Sequence, residues 1–225
     1  MTTALSIVVP ALNEAGAIDA TLGALAPLRA RGAEVIVVDG GSTDATAARA
    51  RPLADRVLTS PCGRARQMNA GAALASGDAL LFLHADTLLP ADADLLVGAA
   101  MNAGAAWGRF DVRIAGRHPM LGVVAAFMNA RSRWTGVATG DQALFVRRRL
   151  FERVGGFADQ PLMEDVELTR RLRAMGRPAC LRARVTTSGR RWETRGVWRT
   201  IFLMWRLRWR YWRGESPHAL AEAYR

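Results

Sequence analysis

The chain has 225 residues, 50% of them hydrophobic, and a formal net charge of +11 carried by arginine with no lysine. That length buries a sizeable core, so one domain with an appendage is expected, over residues 1–190 and 191–225. No apolar run reaches the roughly 18 residues of a membrane span, the two cysteines Cys62 and Cys180 make neither a disulfide framework nor a zinc cluster, and the charge favours anionic partners.

In chain order, LSIVV (5–9), EVIVV (34–38) and ALLFL (79–83) are short apolar runs rich in β-formers. Helix-like stretches separate them, as expected of buried parallel strands in an α/β sheet. The first run, broken at Pro10 and Asn13 and lacking a basic leader, is expected to be a core strand rather than a signal peptide. The intervening helices are expected over 15–29, 44–54, 64–75 and 91–103. From Trp107 the pattern changes: WGRFDVRI (107–114) and QALFVRR (142–148) read as strands, with a helix over 119–132 between them. Met163 to Met175 is amphipathic at helical period. No repeat or low-complexity linker divides the chain.

Polar residues follow each of the first three strands, where an open α/β sheet binds its ligands. After the second comes Asp39-Gly40-Gly41-Ser42-Thr43-Asp44. A helix cap accounts for the last three of these but not for Asp39, which is placed to accept hydrogen bonds from a base or ribose. The spacing is not GxGxxG, which argues against a dinucleotide oxidoreductase. Arg64 and Arg66 open the third helix, either as a solvated face or where backbone amides and guanidinium groups together suit a diphosphate, with Gln67 and Asn69 as neutral hydrogen-bonding groups. Asp86, at the end of the next strand, is the expected holder of Mg²⁺ or Mn²⁺ together with substrate phosphates. His84, two residues earlier, shares its face and is either a second ligand or a structural histidine. Glu164, Asp165 and Glu167 crowd the start of the 163–175 helix. The helix dipole explains one or two acids there, leaving one as a candidate general base.

SIVVPALNE, VIVVDGGSTDAT, NAGAALASGDALLFLHADT, GDQALFVRR and MEDVELTRRLR occur in the order found in family 2 glycosyltransferases of the GT-A fold, and over about residues 4–175 the chain resembles a short bacterial member. The resemblance implies a Rossmann-like α/β domain and transfer of a sugar, with inversion, from a nucleotide-diphosphate sugar to an acceptor hydroxyl. It implies that Pro10, Asn13 and Glu14 line the nucleoside pocket with Asp39. It sets His84-Ala85-Asp86 in place of the Asp-X-Asp metal motif, makes Asp165 the catalytic base, and brings Gly140, Asp141 and Glu164 to the sugar or acceptor. Gly40 stands where the family's second aspartate is usual, and His84 where the first acid of Asp-X-Asp is usual.

The last stretch, 190–214, carries five of the seven tryptophans. At 100° per residue, Trp198, Phe202, Trp205, Trp209 and Trp212 share one stripe, Arg199, Arg206, Arg210 and Arg213 a second, and Leu203, Met204 and Leu207 the far side. Such a helix lies in a membrane interface or packs on its own domain or a dimer partner with arginine stems outward. A cytoplasmic protein with reduced thiols, peripheral on the inner face of the membrane through 191–213, is the expectation, with no nucleic-acid partner. Two other readings account for part of the pattern. A nucleotidyltransferase shares the sheet and metal site but lacks here the glycine-rich basic signature near the first strand. A non-catalytic membrane- or RNA-binding module explains the arm but leaves Asp39, Asp86 and Asp165 without purpose.

Overall fold

A computed structural model describes residues 3–224. One eight-stranded sheet runs in the order β3-β2-β1-β4-β7-β6-β8-β5. Its strands are β1 (Leu5–Ala11), β2 (Glu34–Asp39), β3 (Arg56–Thr59), β4 (Ala79–Phe82), β5 (Thr87–Leu88), β6 (Trp107–Ala115), β7 (Phe145–Arg147) and β8 (Ala179–Ser188). The three apolar runs form its parallel centre. β1 pairs with β2 from Ser6 opposite Glu34 to Ala11 opposite Asp39, and with β4 from Leu5 opposite Ala79 to Val8 opposite Phe82. Their carboxyl ends therefore lie side by side, and the loops that follow share one edge. Beyond β4 the sheet turns mixed, because β7 runs antiparallel to both β4 and β6.

Alternate strand residues go to opposite faces, and both faces are covered. Ile7, Val9, Val35, Val37 and Leu81 pack beneath helices α1 (Ile18–Ala24), α2 (Ala26–Ala30), α5 (Ala93–Asn102) and α6 (Met120–Thr135). Val8, Ile36, Val38, Leu80 and Phe82 pack beneath α4 (Arg64–Leu74), α7 (Arg148–Arg153) and α8 (Glu164–Met175). The expected helix over 15–29 is two helices joined at Leu25, since Pro27 has no N–H to continue the first. The expected helix over 44–54 is the single turn α3 (Thr46–Ala50), ended by Pro52 for the same reason. QALFVRR splits into a 3₁₀ turn at Gly140–Gln142 and the short β7.

β3, β5 and β8 were not expected. β8 sets Ala179, Leu181, Ala183 and Val185 on the main core with Arg182 and Arg184 between them, and β6 supplies its register in parallel. The chain then wraps back as α9 (Arg190–Arg195), α10 (Val197–Trp212) and α11 (Pro217–Tyr224). Residues 191–225 were expected as an arm lying in a membrane interface or packed on its own domain or a partner. Val197 joins the main core, while Leu207 and Leu220 bury themselves against Leu162 and Met163. Among the described residues no helix is long and apolar enough to cross a membrane.

Candidate active site

A cleft of about 1320 Å³ opens at the carboxyl ends of β1 and β4. Its floor carries Pro10, Glu14, Arg64, His84, Ala85 and Asp86, and its far wall Gly140, Asp141, Glu164 and Asp165. The arm closes one side with Arg190 and Arg191. Ten expected site residues thus meet in one cavity, although they come from five separate stretches of chain.

Asp165 sits in the first turn of α8. Its Oδ2 accepts from the Gly140 backbone N–H at 2.7 Å and its Oδ1 from the Val166 N–H at 2.7 Å. The turn that presents it is strained: Met163 holds φ at +64° immediately before the helix, a conformation uncommon for residues with a side chain. Burial of Met163 against Leu207 and Leu220 keeps it there. The three acids of this turn divide their roles. Glu167 binds Arg171 one turn on, at 2.8 and 3.0 Å. Glu164 is buried, 3.9 Å from Arg64. Burial raises its pKa to about 7; the Asp165 charge adds to this and Arg64 opposes it. Glu164 and Asp165 both line the cavity, and Asp165 is the one held by two backbone N–H groups.

Asp86 lines the cavity with its carboxylate free of hydrogen-bond partners among the described residues. Arg191 reaches toward it from the arm, stacked over the Tyr224 ring at 4.0 Å, with a buried Nη1 that has no partner. Burial lowers the Arg191 pKa; Arg64 and Arg195 add to that, and Asp141 and Asp86 oppose it. The His84 Nδ1 lies 3.3 Å from Asp141, and its ring packs so close to Gly140 that an added Cβ there would fall 2.4 Å from Nε2. Burial opposes ionisation of Asp141, but the hydrogen bond and charge of His84, with Arg64 and Arg191, hold its pKa below the usual carboxylate range. No group of three or more acidic, histidine or cysteine side chains converges to hold a metal among the described residues. His84 and Asp86, the pair expected at a metal, both line the cleft, and the His84 ring packs against the Gly140–Asp141 turn.

Four residues expected at the nucleotide lie outside the cavity lining. Asp39 accepts from the Gly41 and Ser42 backbone N–H groups at 3.1 and 3.0 Å, shaping its own loop. Asn13 accepts from the Thr43 N–H at 2.9 Å, tying the β1 loop to the β2 loop. Asn69 clamps Phe157, donating to its carbonyl at 2.8 Å and accepting from its N–H at 2.9 Å. Arg66 forks onto Asp159 at the surface. Gln67 bridges the Ala11 and Val38 carbonyls at 2.8 Å each, and Gly40 leaves it room, since a Cβ would lie 3.0 Å from its Cδ. Two arginines were missed. Arg191 belonged to a stretch read as a membrane face, and Arg131, in mid-helix on α6, resembled any solvated arginine.

The sequence profile of glycosyl transferase family 2 matches residues 6–155. The chain belongs to this family. A probable glycosyltransferase of Bacillus subtilis, YdaM, is 30% identical over 94% of this chain and 55% of its own length. The PGL/p-HBAD biosynthesis glycosyltransferase of Mycobacterium bovis is 33% identical over 68% of this chain and 62% of its own. The chain thus spans little more than half the length of these family relatives. Among solved structures, the mannosyltransferase PcManGT of Pyrobaculum calidifontis, in complex with GDP-Man and Mn²⁺, superposes with a TM-score of 0.64 at 23% identity, over 83% of this chain and 57% of its own. The strand order and the helices on both faces have the GT-A architecture.

Proposed function

We propose that this chain transfers a sugar from a nucleotide-diphosphate sugar to an acceptor hydroxyl, with inversion at the anomeric carbon. The observation that carries the reading is the meeting of Asp165 with Asp86, Arg64 and Arg191 across one cleft at the carboxyl edge of the sheet. Asp165 takes the acceptor proton as the acceptor oxygen attacks the anomeric carbon from the face opposite the leaving group. Its hydrogen bond from Gly140 fixes the carboxylate before substrate arrives. Arg64 and Arg191 lie where charge develops on the departing nucleoside diphosphate, and fixed charges aimed at that point lower the barrier.

Asp86 fits a divalent ion of the kind that takes one or two carboxylates and completes its shell with substrate phosphates. Bound there, Mg²⁺ or Mn²⁺ would add Lewis-acid stabilisation of the diphosphate. The Pyrobaculum mannosyltransferase, in complex with GDP-Man and Mn²⁺, supports this choice.

The same reading places the protein in the cytoplasm, peripheral on the inner face of the membrane. Trp198, Phe202, Trp205, Trp209 and Trp212 are all more than half exposed along α10, with arginines beside them, as interfacial helices require. Co-sedimentation with phosphatidylglycerol vesicles, weakened by salt, is the expected result; a protein that stays in the supernatant sinks the membrane assignment.

Thermal shift with UDP-, GDP-, ADP- and dTDP-sugars, with and without Mn²⁺, tests the donor site. A ligand bound only by the folded state raises the melting temperature with its concentration. A metal-dependent rise with one nucleotide is expected, and no rise with any of them overturns the transferase reading.

A further inference from the structure

Glycine at position 140 is not demanded by the backbone. Its φ lies outside the left-handed region that favours glycine, so other residues could adopt the conformation. What excludes a side chain is the His84 ring, whose Cε1 would lie only 2.7 Å from an added Cβ. Contacts that tight force a shift of one partner.

The same glycine touches the proposed base, because its N–H donates to the Asp165 Oδ2 at 2.7 Å. One residue thus meets an imidazole and a carboxylate that lie 81 positions apart in the chain. The turn it opens is not self-supporting. Ala143, which closes it, holds φ at +46°, and such a conformation in a residue with a side chain persists only where the surroundings enforce it. At the far end Gln142 supplies an anchor, donating to the Ser132 Oγ at 3.1 Å. At the near end the anchor is His84, through its ring on Gly140 and its Nδ1 beside Asp141, 3.3 Å away. His84 is itself held by the sheet: the Leu83 N–H donates to the Val8 carbonyl at 3.0 Å, and the His84 carbonyl accepts from the Thr87 N–H at 3.1 Å.

We propose that His84 is a positioning residue for Asp165: it seats the Gly140–Asp141 turn, and the seated Gly140 N–H fixes the carboxylate that takes the acceptor proton. This deepens the transferase reading and rests on it for the role of Asp165. A carboxylate at 84 would oppose Asp141 charge against charge, whereas the imidazole Nδ1 gives it a partner and the flat ring covers the glycine.

Gly140→Ala, His84→Ala and the double variant form a cycle that tests the seating. Gly140→Ala is expected to lower the melting temperature, and to lower it by less than about half as much once His84 is alanine. Equal losses in the two backgrounds overturn the seating. Exchange of the Gly140 amide hydrogen, followed by NMR, is expected to be about tenfold faster in His84→Ala than in wild type, with His84→Asn, which keeps a polar group beside Asp141, in between. Unchanged exchange overturns the hold on Asp165. Release of nucleoside diphosphate from UDP-, GDP-, ADP- and dTDP-sugars, with water as acceptor and Mn²⁺ present, supplies the kinetic readout. In His84→Ala kcat should fall about tenfold, while the donor and Mn²⁺ concentrations for half-maximal rate stay within about twofold of wild type. A loss of turnover that saturating Mn²⁺ restores overturns the proposal and makes His84 a metal ligand. If the wild type shows neither a thermal shift nor release with any donor, the transferase reading fails, and the stability cycle and amide exchange still decide whether His84 seats the turn.

Discussion

The two walls of the cleft differ in what their polar groups are doing. On the side built by the β1 and β2 loops and α4, Gln67 at the cavity and Asp39, Asn13 and Asn69 behind it are bound to backbone and neighbouring loops. On the wall built by α6, α8 and α9, Arg131 and Arg191 keep buried, unpaired guanidinium atoms, and Glu164 has its pKa raised to about 7. The first wall is a satisfied scaffold that offers a shaped surface. The second holds desolvated charge at a cost to stability, which is the usual mark of groups waiting for a ligand or a reaction. Polar residues near a strand end therefore do not all act on substrate, and a side chain's existing partners separate the scaffold from the chemistry.

Asp165→Asn breaks the comparison most severely. Turnover should fall about 10²–10⁴-fold, the range for losing a general base, while the nucleotide-sugar thermal shift stays unchanged. Full activity in that variant would remove Asp165 from the role. Leu207→Ala acts on the same wall from behind. Leu207 is fully buried in the cluster that holds the strained Met163 turn, so truncation should cost about 2–5 kcal/mol of stability. Because a small misplacement of a catalytic group is expensive, turnover should drop by up to roughly 10²-fold. If the melting temperature falls but the surviving folded protein turns over normally, the arm merely packs on the turn and does not set its geometry.

Glu164→Gln should move stability the other way. The folded protein holds a proton on Glu164 up to about pH 7, whereas the unfolded chain releases it near the ordinary glutamate value. Between those two values the folded state binds more protons, so wild-type stability declines as pH rises. The variant has no such proton to lose. From pH 4 to pH 8 it should gain about 3 kcal/mol relative to wild type, read from urea unfolding at the two pH values. A constant difference across that range would mean that Glu164 ionises freely where it sits.

The parallel centre of the sheet was legible because three short apolar runs, each followed by polar residues, admit few other arrangements. Asp86 and Arg64 were expected at the cleft for the same reason, since each lies just beyond the end of a strand or at the start of a helix, whereas Asp165 was singled out from Glu164 and Glu167 by the family resemblance. Arg131 and Arg191 were not, because their meaning depends on burial set by distant contacts. The Asn129 side chain must meet Val112 before Arg131 loses its water, and Tyr224 must fold back under Arg191. β8 was hidden by Arg182 and Arg184, which interrupt its sequence although Ala179, Leu181, Ala183 and Val185 pack on the main core. The stripe geometry of α10 was correct, but the direction of each stripe was not fixed by periodicity. Leu203, Met204 and Leu207 turned inward because Leu162, Met163 and Leu220 were there to meet them.

Arg66 offers the mildest test of the comparison. It opens the same helix as Arg64, two residues on, and the sequence makes both equal candidates for a diphosphate. In the structure Arg64 lines the cleft, whereas Arg66 spends its fork on Asp159 at the surface, with both side chains more than half exposed. Exposed ion pairs contribute little to stability. Arg66→Ala should therefore leave the melting temperature without measurable change, and the concentration of nucleotide sugar needed for half-maximal thermal shift should stay within twofold of wild type. Arg64→Ala, in parallel, should raise that concentration at least tenfold, as expected for a charge-assisted contact to a phosphate. If the two variants weaken nucleotide binding equally, Arg66 leaves Asp159 when the donor arrives, and the first wall is less fixed than its hydrogen bonds indicate.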